Sequence, residues 1–236
     1  MIQIHQNKQY KNPANSFAGF FFVFLQRISY QQITILIIKL YDTNPNAAEI
    51  RRIVATLRAG GVIILPTDTV YALACDIFCQ SAVESITKLK NHDMRRANLS
   101  FICSELSEVS EYAKMDDFAF KLMKRNLPGP FTFILPGSSK LPKLFKNRKT
   151  VGIRMPNNNI ALEIVRELGN PLMVSSIFTD EDTTEYITDP ELIEEKYGNQ
   201  VDFVVDGGYG GVEHSTIIDC TNDEPEVIRQ GAGELI

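Results

Sequence analysis

The sequence predicts one α/β domain built on a mixed, twisted sheet, on three observations. Short, continuously apolar runs rich in β-branched residues alternate with segments whose apolar residues recur at helical spacing. No long linker, internal repeat or low-complexity tract separates them. Several connections are too short for the crossover that parallel neighbours require, so some neighbours run antiparallel. Composition agrees, since 236 residues with 44% hydrophobic and 22% charged side chains can bury a sizeable core.

Taken in order, ITILIIKL (33–40) reads as a buried strand ended by Asp42-Thr43-Asn44-Pro45. In AAEIRRIVATLRAGG, Ile50, Val54 and Leu57 recur on one helical face, and Gly60-Gly61 stops the helix. VIILP is the next strand. The helices SAVESITKLK and DDFAFKLMKRN flank the strand LSFIC; FTFIL, VGIRM, PLMVSS, VDFVVD, STIID and EVIRQ are further strands, with ALEIVREL and PELIEEKY as helices between them. The domain is expected to span residues 33–236, preceded by an extension over 1–32. In that extension FAGFFFVFL (17–25) has the length of a secretory leader core, but no small-residue cleavage site follows. It is also shorter than the roughly 20 residues that cross a bilayer, so a cytoplasmic protein without membrane attachment is expected.

A net charge of -5 and a pI near 5.3 exclude a surface coated for indiscriminate nucleic-acid binding and leave room only for a local basic groove. Cys75, Cys79, Cys103 and Cys220 show no CxxC spacing and read as reduced thiols in or near the core. With three histidines, His5, His92 and His214, a histidine-rich metal centre is not expected. Any metal should arrive with a nucleotide.

Five segments place polar residues or glycines at strand ends, where open α/β sheets bind ligands. Pro66-Thr67-Asp68-Thr69-Val70-Tyr71 follows VIIL and can offer hydroxyls, a carboxylate and backbone N–H groups to a small zwitterion, or can be an ordinary Asx turn. Pro128-Gly129-Pro130-Phe131-Thr132 enters a strand with a rigid turn and one permissive glycine, which is structural punctuation or a ligand approach. In Gly152-Ile153-Arg154-Met155-Pro156 an arginine sits among apolar neighbours, suited to a phosphate or carboxylate, or to an internal salt bridge. Ser175-Ser176 ends PLMV. Finally Asp206-Gly207-Gly208, Ser215-Thr216 and Arg229-Gln230-Gly231 repeat hydroxyl, glycine and arginine at strand edges. Together they describe a polar cleft along one edge of the sheet. There is no GxxxxGKS/T loop, no GxGxxG after a strand and no GxSxG elbow, so the P-loop, dinucleotide-binding and α/β-hydrolase sites are unsupported.

The ordered set LRAGGVIILPTDTVYALACD, LPGPFTFIL, VGIRMP, DGG, STIID and IRQG resembles the YrdC-like family from about Ile33 to Gly233, and LMKRNLPGPFTFIL with Asn157 after RMP resembles its YciO branch. The resemblance implies a twisted mixed sheet flanked by helices around a polar, positively charged cavity. It implies an L-threonylcarbamoyladenylate synthase-like enzyme, which joins L-threonine, bicarbonate and ATP with Mg²⁺ into threonylcarbamoyl-AMP and pyrophosphate for tRNA modification. Carried across, Thr67 and Thr69 line the threonine pocket. Arg154 and Ser215, with Thr132, Ser176 and Arg229, serve the substrate, the nucleotide or the acyl-phosphate region. Lys90 matches the lysine of the synthases' KxR element, and Arg95 or Arg96 stands in for its arginine, since His92 occupies that position. Where synthases read SAN, this chain reads Ser176-Ile177-Phe178, and the histidine after RxP is replaced within Asn157-Asn158-Asn159. These departures favour a second reading, a double-stranded RNA-, tRNA- or ribosome-binding module with weak or no synthase activity. A hydrolase or transferase acting on a related acyl-adenylate is a third.

Overall fold

The computed structural model describes residues 37–90, 99–177, 183–222 and 224–236; they belong to one compact unit, Leu36–Ile236. The expected extension over 1–32 and the first half of ITILIIKL lie outside these residues. Among the described residues ten strands form one sheet: β1 (Ile37–Lys39), β2 (Ile63–Leu65), β3 (Ala72–Asp76), β4 (Ser100–Ile102), β5 (Phe131–Pro136), β6 (Thr150–Arg154), β7 (Leu172–Ser176), β8 (Phe203–Asp206), β9 (Thr216–Asp219) and β10 (Glu226–Arg229). Their spatial order is β1-β8-β2-β3-β7-β4-β6-β5-β9-β10. The sheet is mixed: β1 and β2 run parallel to β8, β4 to β6 and β5 to β9, and the other neighbours are antiparallel.

Period-two alternation sends successive side chains to opposite faces and builds two cores. Ile64, Leu73, Cys75, Met173, Val204, Phe133 and Ile153 face one core, which is covered by α2 (Gln80–Leu89), α3 (Leu106–Tyr112) and α4 (Asp117–Asn126). Ile63, Leu65, Ala72, Ala74, Val174 and Val205 face the other, under α1 (Ala47–Arg58) and α5 (Asn159–Leu168). In α1 the buried residues are Ile50, Ile53, Val54 and Leu57, the spacing of one helical face, and each contributes about 1.5–3 kcal/mol on burial. Asn46 starts α1 by accepting from Ala48 N at 2.8 Å, and Gly60, at φ 92°, takes the chain out of it. The sheet and flanking helices match the expected class. All four cysteines are free, with Cys75, Cys103 and Cys220 buried.

β1, β8, β2, β3 and β7 carry α1 and α5 on the second face. Over β4, β6, β5 and β9 the same face carries Ser100, Thr132, Ile134, Thr150, Gly152 and Ile217 and opens to a cavity.

Candidate active site: a basic cavity on the open half of the sheet

The cavity measures about 320 Å³, at the small end of the range for ligand sites. Strand register builds its floor. Ser100 stands opposite Val174 on β7 and Gly152 on β6, and Gly152 stands opposite Ile134 on β5, so one row of side chains crosses four strands. At Gly152 an added Cβ would come within 2.9 Å of Ser100 Oγ and 3.2 Å of Thr132 Cγ2, so the glycine keeps this floor low.

One wall is the turn after β2. Thr67 Oγ1 donates to Val70 O at 2.8 Å and accepts from Thr69 N at 3.1 Å, which curls the turn so that Thr69 faces the cavity. Thr67 itself does not line the cavity; its hydroxyl, 3.0 Å from that of Thr69, supports its neighbour. Asp68 turns to Arg154, with Nη2 to Oδ1 at 3.0 Å, and also accepts from Asn157 N at 2.9 Å. Arg154 Nη2 donates further to Thr69 Oγ1 at 2.9 Å. The internal salt bridge and the cavity-facing arginine are therefore one arrangement, with each side chain of the pair only 8% exposed. Burial pushes the Asp68 carboxyl above the ordinary carboxylate range, and the Arg154 charge and the Asn157 N–H pull it back. The Nε of Arg154 is buried with no hydrogen-bond partner among the described residues.

Further lining comes from β5, β9 and β10. Thr132 and Ser215 share a hydroxyl–hydroxyl hydrogen bond at 2.7 Å, and Arg229 clamps the Ser215 carbonyl through Nη2 at 2.7 Å and Nε at 3.2 Å. The segment after β10 is tied down by Thr216 Oγ1, which accepts from Gly231 N at 3.0 Å and Gly233 N at 3.1 Å and donates to Gly233 O at 2.6 Å.

Of the residues expected from sequence, Thr69, Thr132, Arg154, Ser176, Ser215 and Arg229 converge on this cavity. Lys90, at the C-terminal end of α2, is outside the wall but close enough to help hold the His214 imidazole below its ordinary range. Arg95 and Arg96 lie outside the described residues. Two basic residues of the wall were not expected, Arg148 and His214. Arg148 had a readable signal, because Arg148, Thr150, Gly152 and Arg154 alternate and all four line the cavity. Among the described lining residues there are three arginines and a histidine but no Asp or Glu, so a protein of net charge -5 concentrates positive charge here. Hydroxyls and guanidiniums so placed can orient anions and stabilise charge on phosphate.

Residues 55–231 match the sequence profile of the Sua5/YciO/YrdC family, described as telomere recombination. The chain belongs to the Sua5/YciO/YrdC family. Within it, the chain is 40% identical to Escherichia coli YciO, a protein described as uncharacterised, over 83% of this chain and 95% of that one. The E. coli YciO crystal structure superposes with a TM-score of 0.78, covering 85% of this chain and 97% of its own. The threonylcarbamoyl-AMP synthase of Bacillus subtilis is 30% identical over 80% of this chain and 55% of the synthase. Pyrococcus abyssi Sua5, solved in complex with L-threonine, superposes with a TM-score of 0.73 at 28% identity, over 83% of this chain and 57% of its own. Like these relatives the chain sets helices around a mixed sheet, and no helix among its described residues is long and apolar enough to cross a membrane.

Proposed function

We propose that the cavity is the active site of a cytoplasmic threonylcarbamoyl-AMP synthase-like enzyme that binds L-threonine, bicarbonate and MgATP. The observation that carries this reading is the division of charge within one cavity. Asp68 and Arg154 neutralise one another beside the Thr69 hydroxyl, an environment suited to a small zwitterion. Elsewhere in the lining Arg229 donates to Ser215, whose hydroxyl pairs with that of Thr132, and Arg148 lines the same cavity, with no carboxylate in the wall among the described residues, which suits phosphate. The relatives supply the substrate class, since a synthase and a threonine complex are among them.

In this reading the threonine amine and bicarbonate form a carbamate and water. A carbamate oxygen then bonds to the α-phosphorus of ATP, the bond to the bridging oxygen breaks, and pyrophosphate leaves. Thr69 and Arg154 hold the amino acid. Ser176, Thr132, Ser215 and Arg229 orient the phosphates, and Lys90 with Arg95 or Arg96 adds charge at the nucleotide. No covalent nucleophile is needed, because holding two anions in line and stabilising charge spread over phosphate supplies most of such a rate. Magnesium enters on the nucleotide and is part of the substrate.

The test is pyrophosphate release from MgATP and bicarbonate, with and without L-threonine. Threonine-dependent release that Arg154→Ala abolishes supports the synthase. Release independent of threonine sinks it. One observation favours a second reading: Phe178 stands where the synthases' SAN element has its amide. Salt-sensitive binding of duplex RNA or tRNA without any threonine effect would support that module instead.

A further inference from the structure

We propose that His214 makes anion binding in the cavity proton-linked: a phosphate-like dianion enters together with one proton, which the His214 imidazole takes up. The inference rests on the reading of the cavity as an anion site, and it assigns a role that Arg229 and Arg154 cannot fill, since guanidiniums stay protonated throughout.

His214 is held in the wall by its backbone. Its carbonyl accepts from Ala232 N at 2.9 Å, and a Cβ at Gly231 would collide with the same carbonyl, so the segment after β10 closes tightly over it. Its side chain shares the cavity with Ser215 and the three arginines. The charged groups acting on it come from three elements: Arg229 from β10, Arg154 from β6 and Lys90 from the end of α2. Arg148, ahead of β6, lines the same space. Of the carboxylates, Asp68 is engaged by Arg154, and Glu213, next to His214 in sequence, is exposed and does not line the cavity. Partial burial and these cations hold the imidazole neutral at a pH where an ordinary histidine would begin to charge. A dianion placed among the same cations reverses the balance, because its charge offsets theirs and favours the imidazolium. Protonation then adds a hydrogen-bond donor and a positive charge where the ligand needs them.

Inorganic sulfate is the probe, because its own charge does not change over the range in which imidazole titrates, about pH 5 to 8. Since the sequence has only three histidines, the His214 ring signal can be assigned by NMR against His214→Gln. The titration midpoint of His214 should rise when sulfate saturates the protein. Calorimetry in two buffers of different ionisation heat should show proton uptake that His214→Gln loses. For each unit the midpoint rises, sulfate should bind about tenfold more tightly at the acid end than at the alkaline end. Sulfate binding with an unmoved midpoint, or equal proton uptake in His214→Gln, overturns the inference and leaves the anion site standing. Absence of binding by sulfate, pyrophosphate and MgATP alike overturns both.

Discussion

Asp68 and Arg154 are buried as a pair, and the consequences of separating them follow from desolvation. In Asp68→Ala the Arg154 guanidinium, 8% exposed in the native protein, loses its counter-ion, which should cost about 3–5 kcal/mol of stability. A urea titration checks this. Adding Arg154→Met to that variant should recover much of the loss, because a buried pair replaced by apolar groups is often nearly neutral. His214 makes a second prediction with a definite sign. Its folded value lies below the ordinary 6.5, so as pH falls the unfolded chain takes up this proton first. The stability it contributes is fully present above about pH 6.5 and is lost as pH drops toward the folded value. Without ligand, the urea midpoint of the native protein should therefore fall more steeply from about pH 7 to about pH 5 than that of His214→Gln. Sulfate should reduce that difference.

Among the elements, β6 and α5 give separable tests. On β6, Gly152→Val should fill the cavity floor against Ser100 and Thr132. Sulfate binding and threonine-dependent pyrophosphate release should be lost, while circular dichroism still shows the folded protein. At the end of α5, Gly169 holds φ 81° with nothing within 4 Å of an added Cβ. Gly169→Ala should therefore cost only conformational strain, about 1 kcal/mol or a Tm lower by about 2–4 °C, with binding unchanged. The strands read correctly from sequence are those with apolar, β-branched runs, such as VIIL and FTFIL. ALACD became β3 unannounced, because alanines carry little strand signal and the run follows a polar turn directly. LSEVSEY became α3 although only Val109 and Tyr112 of it are buried, too few apolar positions to show a period. At the cavity, Thr69, Thr132, Arg154 and Ser215 stand out in sequence because each interrupts or borders an apolar strand. Arg148 did not, because KNRK reads as solvated surface until the register of β6 is followed backwards through it. His214 lies in a loop whose path depends on packing against Gly231, a contact no local pattern reveals.

The whole molecule sets a net charge of -5 against three arginines in one cavity wall. The surrounding low-dielectric walls focus that local field, and salt should act on ligands by their charge. Raising the ionic strength should weaken pyrophosphate binding markedly and leave L-threonine, a neutral zwitterion, almost unaffected; parallel calorimetric titrations check both. The two halves of the sheet divide the work, one packed under α1 and α5 and one left open as the floor of the cavity. Sheet order also fixes a sequence in time. β1 and β2, separated in space by β8, are made early, yet β8 is synthesised more than a hundred residues after β2, and Arg229 of β10 later still. During synthesis β1 and β2 cannot be joined through the sheet until β8 has been made, and the cavity lacks Arg229 until β10 has followed. An anion that relies on Arg229 therefore finds its full set of partners only once β10 has been made.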